Sequence, residues 1–261
     1  MRKILTLLIL CIFSFATMAC LREKKPESLM EKIIKNDKLV VGVKIDAKPF
    51  GFEDKEGTLQ GFDVELARKI AENLLGDSSK IEFVPVTSSN RIITLTSGKV
   101  DMVIATMSIT SQREQIVDFS DPYFIAGQAL MIPKNSSIQG VTDLADKKVI
   151  VILGTTGERN IKRFVPKAIL RGFKTNREAY NALKTGIGDA LTTDDTILAG
   201  FLMDDDSMKI LSKRYTQEPY AVAFRKDEES QSLKHNVNHI LEHLKDSGEI
   251  NRLKNKWLNF N

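Results

Sequence analysis

The chain has 261 residues, and 38 Lys and Arg against 34 Asp and Glu give it a formal net charge of +4 at pH 7. This charge excess is small, and no basic stripe with interleaved aromatic residues occurs, which argues against nucleic acid as a partner. With only two cysteines the chain is not a disulfide-rich scaffold, and its length allows a hydrophobic core instead.

The N-terminus has the pattern of a secretory signal peptide. Residues 1–3 (MRK) form a basic segment, and residues 4–16 form an apolar stretch that is too short for a comfortable membrane span. Small residues then lead to Cys20, which resembles a bacterial lipobox, where the cysteine receives a diacylglyceryl group and becomes the first mature residue. Thr17 stands where lipoboxes usually carry Leu, and plain cleavage after Ala19 is the alternative.

The residues after Cys20 indicate a tether. Residues 21–28 are charged and include Pro26, as expected of a segment that holds a domain away from a membrane. Cys11 lies within the signal, so the mature chain has no possible intramolecular disulfide and depends on its core for stability.

From residue 38 onward, strand and helix patterns alternate. Apolar residues recur every four positions from Phe62 to Leu74 and stop before Gly76, which predicts an amphipathic helix with a glycine at its C-terminal end. Strands are predicted at residues 39–43, 81–86 and 100–105, and a short helix at 91–97. This alternation is typical of an α/β domain with mostly parallel strand order.

The second half of the chain repeats this logic. Residues 94–101 (TLTSGKVD) are echoed by residues 182–189 (ALKTGIGD), each a helix end, a glycine and an aspartate that opens a strand, so two similar lobes are expected. Residues 124–133 and 218–225 are apolar and extended, which indicates two ordered crossovers and a hinged cleft. The predicted organisation is a signal peptide (1–19), a lipidated N-terminus and tether (20–37), lobe 1 (38–124 with 222–261) and lobe 2 (125–221, including the crossover segments).

Motifs for catalysis and for cofactors are missing. No Gly-x-Ser-x-Gly elbow, P-loop or paired-cysteine zinc pattern occurs, so we expect a protein that is not an enzyme and that needs no cofactor. His235, His239 and His243 stand four residues apart on a predicted helix, and this spacing could in principle hold a metal. No cysteine or acidic partner is arranged with them, so we interpret them as a solvated helix face and predict no metal site.

Residues 104–114 (IATMSITSQRE) are the most informative segment. A strand that ends in small hydroxyl residues presents hydroxyls and backbone groups at the carboxyl edge of a sheet, where open α/β sheets bind ligands. Arg113 follows one short loop later, and its guanidinium could hold a carboxylate through two parallel hydrogen bonds. A surface arginine paired with Glu114 or Asp118 is an equally good interpretation of these residues alone.

A family resemblance favours the binding interpretation. Together with residues 49–52 (PFGF), 61–67 (GFDVELA) and 118–120 (DFS), this segment closely resembles the polar amino-acid-binding family of bacterial solute receptors, extracellular solute-binding protein family 3. The resemblance covers essentially the whole mature chain in the same order. It implies an α/β fold of the type II periplasmic-binding-protein kind, in which two lobes joined by two crossover strands enclose a ligand.

The resemblance also implies roles for residues at one end of the ligand. Arg113 matches the arginine that binds the ligand α-carboxylate, and Ser108 and the backbone at Thr106 hold the same end. Thr155 and Thr156, at a strand-to-helix turn of the second lobe, match the position that adds hydroxyl and amide donors. A helix N-terminus is also a favourable site for an anion in its own right.

The resemblance also implies which residues bind the α-ammonium group and the side chain of the ligand. Asp194 matches the carboxylate that receives the α-ammonium group, and strand alternation points the adjacent Asp195 the other way. Ser88 and Arg91 lie in a motif that resembles the glutamate- and aspartate-binding members, in which the serine and arginine reach the distal carboxylate. Lys44 falls where such members place another cation, although a solvated strand end is nearly as good an interpretation.

The expected function is therefore that of a binding module. We expect a monomeric lipoprotein, held outside the cytoplasm on the membrane, that binds L-glutamate or L-aspartate and delivers it to an ABC permease driven by a separate ATPase. The alternatives are a receptor for another polar amino acid such as glutamine, and an enzyme that resembles cyclohexadienyl or arogenate dehydratases. Such an enzyme needs a general acid in the cleft, for which Asp195 is a candidate.

Replacement of Cys20 by Ala is expected to abolish membrane association, because the lipid attached to this cysteine is the predicted anchor. The measurement is the distribution of the protein between the membrane and soluble fractions of expressing cells. Cys11→Ala is the matched control and should leave the distribution unchanged. Wild-type protein found entirely in the soluble extracytoplasmic fraction would contradict lipidation.

Overall fold

The computed structural model describes residues 27–202 and 205–258, which form two lobes, each built on a five-stranded sheet. The predicted signal peptide, Cys20 and the first part of the predicted tether lie outside the described residues. In the described ranges, no helix combines the length and the apolar character that crossing a membrane requires.

Strands and helices alternate along both lobes. In chain order the strands are β1 (Leu39–Val43), β2 (Asp46–Ala47), β3 (Gly51–Glu53), β4 (Leu59–Gln60), β5 (Ile81–Pro85), β6 (Met102–Ile104), β7 (Val117–Phe119), β8 (Phe124–Ala126), β9 (Gln128–Pro133), β10 (Lys148–Ile152), β11 (Ile169–Phe173), β12 (Ala190–Asp194), β13 (Met208–Ile210), β14 (Glu218–Tyr220) and β15 (Ala223–Arg225). The helices are α1 (Leu29–Asn36), α2 (Phe62–Leu75), α3 (Arg91–Thr96), α4 (Ser111–Glu114), α5 (Thr156–Phe164), α6 (Asn176–Lys184), α7 (Asp195–Leu202), α8 (Glu228–Asp246) and α9 (Glu249–Trp257). Val141–Leu144 form a 3-10 helix.

Helix α1 occupies residues that the sequence analysis placed in the tether. Ser28 caps it, and Glu31 completes a capping box, in which each residue bonds the backbone of the other. Leu29 and Ile33 are buried in the core of the first lobe. The folded first lobe therefore begins before residue 38, because the capped helix buries two apolar residues of one face in its core.

The first lobe has the sheet order β5–β1–β6–β15–β7. Strand β1 runs parallel to β5 and β6, with Val41 between Phe83 and Met102. Strand β15 is antiparallel to β6 and β7, so the chain returns to this lobe after building the second one. The core beneath this sheet includes Val41, Leu66, Ile70, Leu233 and Leu253.

The second lobe repeats the arrangement in the order β11–β10–β12–β9–β13, with β10 parallel to β11 and β12 and β9 antiparallel to its neighbours. The repeated sequence motif makes the same contact in both lobes. Oδ2 of Asp101 accepts a hydrogen bond from the Val40 N–H at 2.8 Å, and Oδ2 of Asp189 accepts one from the Lys148 N–H at 2.7 Å. In each lobe the aspartate of the repeat thus bonds the main chain of a parallel strand, β1 in the first lobe and β10 in the second.

Two short antiparallel strands join the lobes. Strand β8 pairs with β14, and the chain continues from β8 into the second-lobe sheet and from β14 into the first-lobe sheet. The ring of Phe50 packs edge-on against Phe124 and against Tyr220, each at a centroid distance of 5.3 Å, on the first-lobe side of this ribbon. The predicted α/β architecture of two lobes with two crossovers is confirmed, and a hinge of this kind allows a cleft to open and close.

The lobes touch each other across the cleft. Oδ2 of Asp46 in the first lobe accepts a hydrogen bond from the Asn176 N–H of the second lobe at 2.7 Å. Gly200 in helix α7 lies against the main chain of Lys48, and a Cβ at Gly200 would come within 2.4 Å of the Lys48 carbonyl oxygen. A residue without a side chain is therefore required at position 200 for this approach of the lobes.

Gly200→Ala is expected to hold the lobes apart, because the added methyl group overlaps the Lys48 carbonyl when the cleft is closed. The radius of gyration, measured by solution scattering, should decrease on addition of glutamine or glutamate in the wild type and should change less in Gly200→Ala. Gly140→Ala is the matched control, since a Cβ at that position meets nothing within 4 Å. An equal decrease in all three proteins would contradict the contact.

Candidate functional site

A small pocket lies between the two lobes. Its lining residues are Ser88, Arg91, Thr106 and Ser108 from the first lobe and Thr155, Thr156, Asn176, Thr193, Asp194 and Ile197 from the second. Every residue predicted to bind a ligand belongs to this lining except Lys44 and Arg113, which donate hydrogen bonds to the lining residues Ser88 and Ser108 respectively. The structure therefore brings the predicted residues together, while their contacts with a ligand stay predictions.

A buried carboxylate supports the first-lobe wall. Asp63, in the first turn of α2, accepts hydrogen bonds from the Thr106 N–H and from the Tyr123 hydroxyl, each at 2.9 Å. Thr106 has a φ of +47°, a left-handed conformation that a β-branched residue rarely adopts. Burial raises the pKa of Asp63 to about 7, and the two hydrogen bonds oppose that shift. No role for Asp63 was predicted from the sequence.

The side chain of Arg91 is buried beneath the turn at Thr106. Its Nη1 donates to the carbonyl oxygens of Ala105 at 2.5 Å and of Thr106 at 3.2 Å. Its Nε is buried and has no hydrogen-bond partner among the described residues. Burial lowers the pKa of Arg91 to about 10, so the guanidinium remains charged at neutral pH.

Lys44 follows strand β1 and is fully buried, so it is not a solvated strand end. Its Nζ lies 3.0 Å from Oδ1 of Asp46 and donates to Oγ of Ser88 at 3.4 Å. Burial lowers the pKa of Lys44, and the nearby Asp46 opposes that shift. The ion pair with Asp46 was not predicted from the sequence.

Arg113 contacts both lobes. Its Nη1 donates to the carbonyl oxygen of Ser108 at 2.6 Å, and its Nη2 donates to that of Gly154 in the second lobe at 3.1 Å. Burial lowers the pKa of Arg113 to about 8, and the nearby Arg91 lowers it further. The alternative of a surface arginine paired with Glu114 or Asp118 is wrong, because Arg113 is buried, and Asp118 pairs with Lys234 at 3.1 Å.

The start of helix α5 forms part of the second-lobe wall. Thr155 caps the helix: its Oγ1 accepts from the Glu158 N–H at 3.3 Å and donates to the Ile152 carbonyl oxygen at 2.7 Å. The hydroxyl of Thr156 donates to Oε2 of Glu218 at 2.7 Å. Both threonines are therefore held in place at a helix N-terminus, a position that favours anions.

Asp194 ends strand β12 and faces the pocket. It is buried and accepts a hydrogen bond from the hydroxyl of Tyr220 in the crossover. Burial raises the pKa of Asp194 to about 7, and the nearby Glu218 raises it further. Asp195 is the first residue of α7, lies outside the pocket lining and pairs with Arg214.

The histidines of α8 are exposed and lie outside this pocket lining. Nε2 of His235 and Nε2 of His239 are 3.1 Å apart. Across residues 27–202 and 205–258, no group of three or more His, Cys, Asp or Glu side chains is arranged to hold a metal ion.

The shifted pKa of Asp63 predicts a dependence of stability on pH. Because folding raises this pKa from 3.8 to about 7, the folded state binds the proton more tightly, and stability is lost as pH rises from about 4 to about 7. Asp63→Asn has no group to titrate and does not suffer this loss. The free energy of unfolding of the wild type should therefore fall relative to that of the variant between pH 5 and pH 8, by on the order of 2 kcal/mol. Urea unfolding at both pH values measures it.

The exposed Asp206 supplies the matched control for that experiment, because its side chain is 101% exposed. Asp206→Asn should show no such increase with pH. If the free energies of unfolding of Asp63→Asn and the wild type differ by the same amount at pH 5 and pH 8, the shifted pKa is contradicted.

Comparison with known proteins assigns the chain to a family. Residues 39–260 match the sequence model of the bacterial extracellular solute-binding proteins, family 3. The chain is 37% identical over 270 residues to the ABC transporter glutamine-binding protein GlnH of Bacillus subtilis (strain 168), with 99% of this chain and 98% of that protein covered. It is 43% identical over 202 residues to a glutamine-binding protein of Geobacillus stearothermophilus, with 76% of each covered. A solved structure of an ancestral arginine-binding protein bound to glutamine is 39% identical, with a TM-score of 0.80, and covers 85% of this chain and 97% of that one. The chain therefore belongs to the bacterial extracellular solute-binding proteins of family 3.

Proposed function

We propose that this protein is the extracytoplasmic binding component of an ABC amino-acid importer and that its ligand is L-glutamine. The lobes close on the amino acid, and the closed protein delivers it to a permease driven by a separate ATPase. Cys20 carries the lipid that keeps the protein at the membrane. The chain binds its ligand and catalyses no reaction.

The two sides of the pocket suit the two charges of an amino acid. Arg113 in the first lobe and Asp194 in the second are both buried, and they complement the α-carboxylate and the α-ammonium group respectively. Ser108 of the first lobe and Thr155 of the second also line the pocket. Because the cation and the carboxylate belong to different lobes, a bound zwitterion contacts both and stabilises the closed arrangement.

The observation that favours an uncharged side chain is the ion pair between Lys44 and Asp46, which are 3.0 Å apart. Among the described residues, the buried cations that line the pocket or contact its lining are Lys44, Arg91 and Arg113, and of these Lys44 is ion-paired. A second carboxylate on the ligand would lose its hydration without gaining the charge of Lys44, which Asp46 already neutralises, whereas an amide carries no charge to desolvate.

The relatives support the same ligand. Both curated relatives described above are named as glutamine-binding proteins, and one of them matches nearly the full length of this chain. The ancestral protein was solved with glutamine bound. Those names apply to the relatives, and together with the paired Lys44 they make glutamine the first candidate here.

An acidic amino acid, the ligand predicted from the sequence, is the second candidate. Arg91 favours it, because the residue lines the pocket and its Nε has no partner within the described part of the chain. A guanidinium with a free N–H can donate to a distal carboxylate.

The carboxylates near the pocket support binding without catalysis. Asp63 holds Thr106 and Tyr123, and Asp194 accepts a hydrogen bond from Tyr220. Asp195, the candidate general acid of the enzyme alternative, is paired with Arg214 outside the pocket lining. Each carboxylate therefore has a structural partner in the closed protein.

Calorimetric titration with glutamine and with glutamate tests the function. Tighter binding of glutamine by the wild type supports the first candidate, and tighter binding of glutamate supports the second. Arg113→Gln is expected to weaken both ligands by about 2–5 kcal/mol, because both present an α-carboxylate that would lose its buried partner. If glutamine is the ligand, Arg91→Gln weakens both by a similar factor, since Arg91 then acts only through the carbonyls it supports.

A loss in Arg91→Gln that is far larger for glutamate than for glutamine would select the acidic ligand instead. Arg171→Gln is the matched control, because Arg171 is exposed on strand β11 and lies outside the pocket lining. It should bind both amino acids as the wild type does. Failure of the wild type to bind any amino acid would overturn the proposal.

A further inference from the structure

The part of the pocket next to Lys44 is formed by one side chain from each lobe. Ser88 comes from the first lobe and is 7% exposed, and Asn176 is the first residue of α6 in the second lobe and is 3% exposed. Both residues line the pocket, and the Lys44–Asp46 ion pair connects them, since Lys44 contacts Ser88 and Asp46 contacts Asn176. That ion pair determines which of the two side chains donates and which accepts a hydrogen bond in the pocket.

Asp46 determines how the Asn176 amide is oriented. Oδ2 of Asp46 lies 2.7 Å from the Asn176 backbone nitrogen and 3.3 Å from its Nδ2. An ionised carboxylate only accepts hydrogen bonds, so the amide nitrogen must face Asp46 and the amide oxygen, Oδ1, must face the other way. Within the described residues, no donor occupies Oδ1 of Asn176. Asn176 therefore presents an acceptor.

Lys44 determines the polarity of Ser88 in the same way. Its Nζ lies 3.4 Å from Oγ of Ser88. An ammonium group only donates hydrogen bonds, so Oγ of Ser88 accepts this one and its own O–H remains to be donated. Ser88 therefore presents a donor to the pocket.

We propose that Ser88 and Asn176 recognise a carboxamide on the ligand side chain, and that Asp46 is the positioning residue that fixes Asn176. This inference rests on the proposed function and extends it to the distal end of the ligand. A carboxamide offers a carbonyl oxygen to the Ser88 hydroxyl and an N–H to Oδ1 of Asn176. A carboxylate offers two acceptors, and one of them would face the Asn176 oxygen and be repelled.

The test is the ratio of the dissociation constants for glutamate and glutamine, measured by calorimetry on the full mature domain. Asn176→Ala removes the amide oxygen but keeps the backbone N–H that binds Asp46, so the contact between the lobes is retained. The preference for glutamine is expected to fall by about fivefold or more, the factor that corresponds to one hydrogen bond of ~1 kcal/mol. The ratio is informative because weaker closure lowers the affinity for both ligands by the same factor.

Asp46→Asn gives a second, independent variant. An amide at position 46 can donate as well as accept, so it no longer fixes the orientation of Asn176, and it leaves the charge of Lys44 without its partner. Its preference should move toward glutamate further than that of Asn176→Ala. Gln112→Ala is the matched control: it removes a contact between the lobes, that with Arg159, outside the pocket lining, and should leave the ratio unchanged.

The outcomes separate the inference from the function on which it rests. A wild type that prefers glutamate overturns the proposed function. A wild type that prefers glutamine, with the same preference in folded Asn176→Ala and Asp46→Asn, overturns the recognition by Ser88 and Asn176 and leaves the function in place. Thermal unfolding of each variant establishes that it is folded, and a shift of the ratio in Gln112→Ala as large as in Asn176→Ala also overturns the inference.

Discussion

The hydrogen bond from the Thr106 N–H to buried Asp63 fixes the wall on which the pocket depends. It holds Thr106 in a left-handed turn, at a φ of +47°, that its β-branched side chain disfavours. That turn directs two successive carbonyl oxygens toward Nη1 of Arg91. A carboxylate, a strained turn and a guanidinium therefore act as one unit, so the first lobe presents a preorganised surface and a ligand does not have to order it on binding.

The second lobe completes the site with groups of a different kind. It contributes the carboxylate of Asp194 and the N-termini of two helices, at Thr156 and Asn176, whereas the buried cations belong to the first lobe. Arg113 already connects the lobes through the Gly154 carbonyl. Since Arg113 and Asp194 belong to different lobes, a ligand contacts both only in the closed arrangement, and its affinity is coupled to the population of that arrangement.

Local signals in the sequence predicted most of the fold but only part of the site. Helix α2 ends before Gly76 as predicted, because the apolar period and the glycine act within one element. The strand predicted at residues 100–105 is shorter, Met102–Ile104, since Ala105 turns toward Arg91. Most of the pocket lining was identified through the family resemblance. The roles of Asp63 and Asn176 could not be predicted, because their partners lie 43 and 130 residues away along the chain.

The charge of the ligand side chain is difficult to predict from the charged residues of the sequence alone. Lys44 and Arg91 alone predict a cationic pocket, but the turn after β1 places Asp46 3.0 Å from Nζ of Lys44. A buried ion pair interacts mainly within itself, so what it offers a ligand is the direction of the remaining hydrogen bonds rather than net charge. On the proposed mechanism that direction is one donor and one acceptor. A donor and an acceptor side by side discriminate sharply, because a carboxylate ligand leaves two buried acceptors facing each other. An unpaired cation would instead attract any anion that fits.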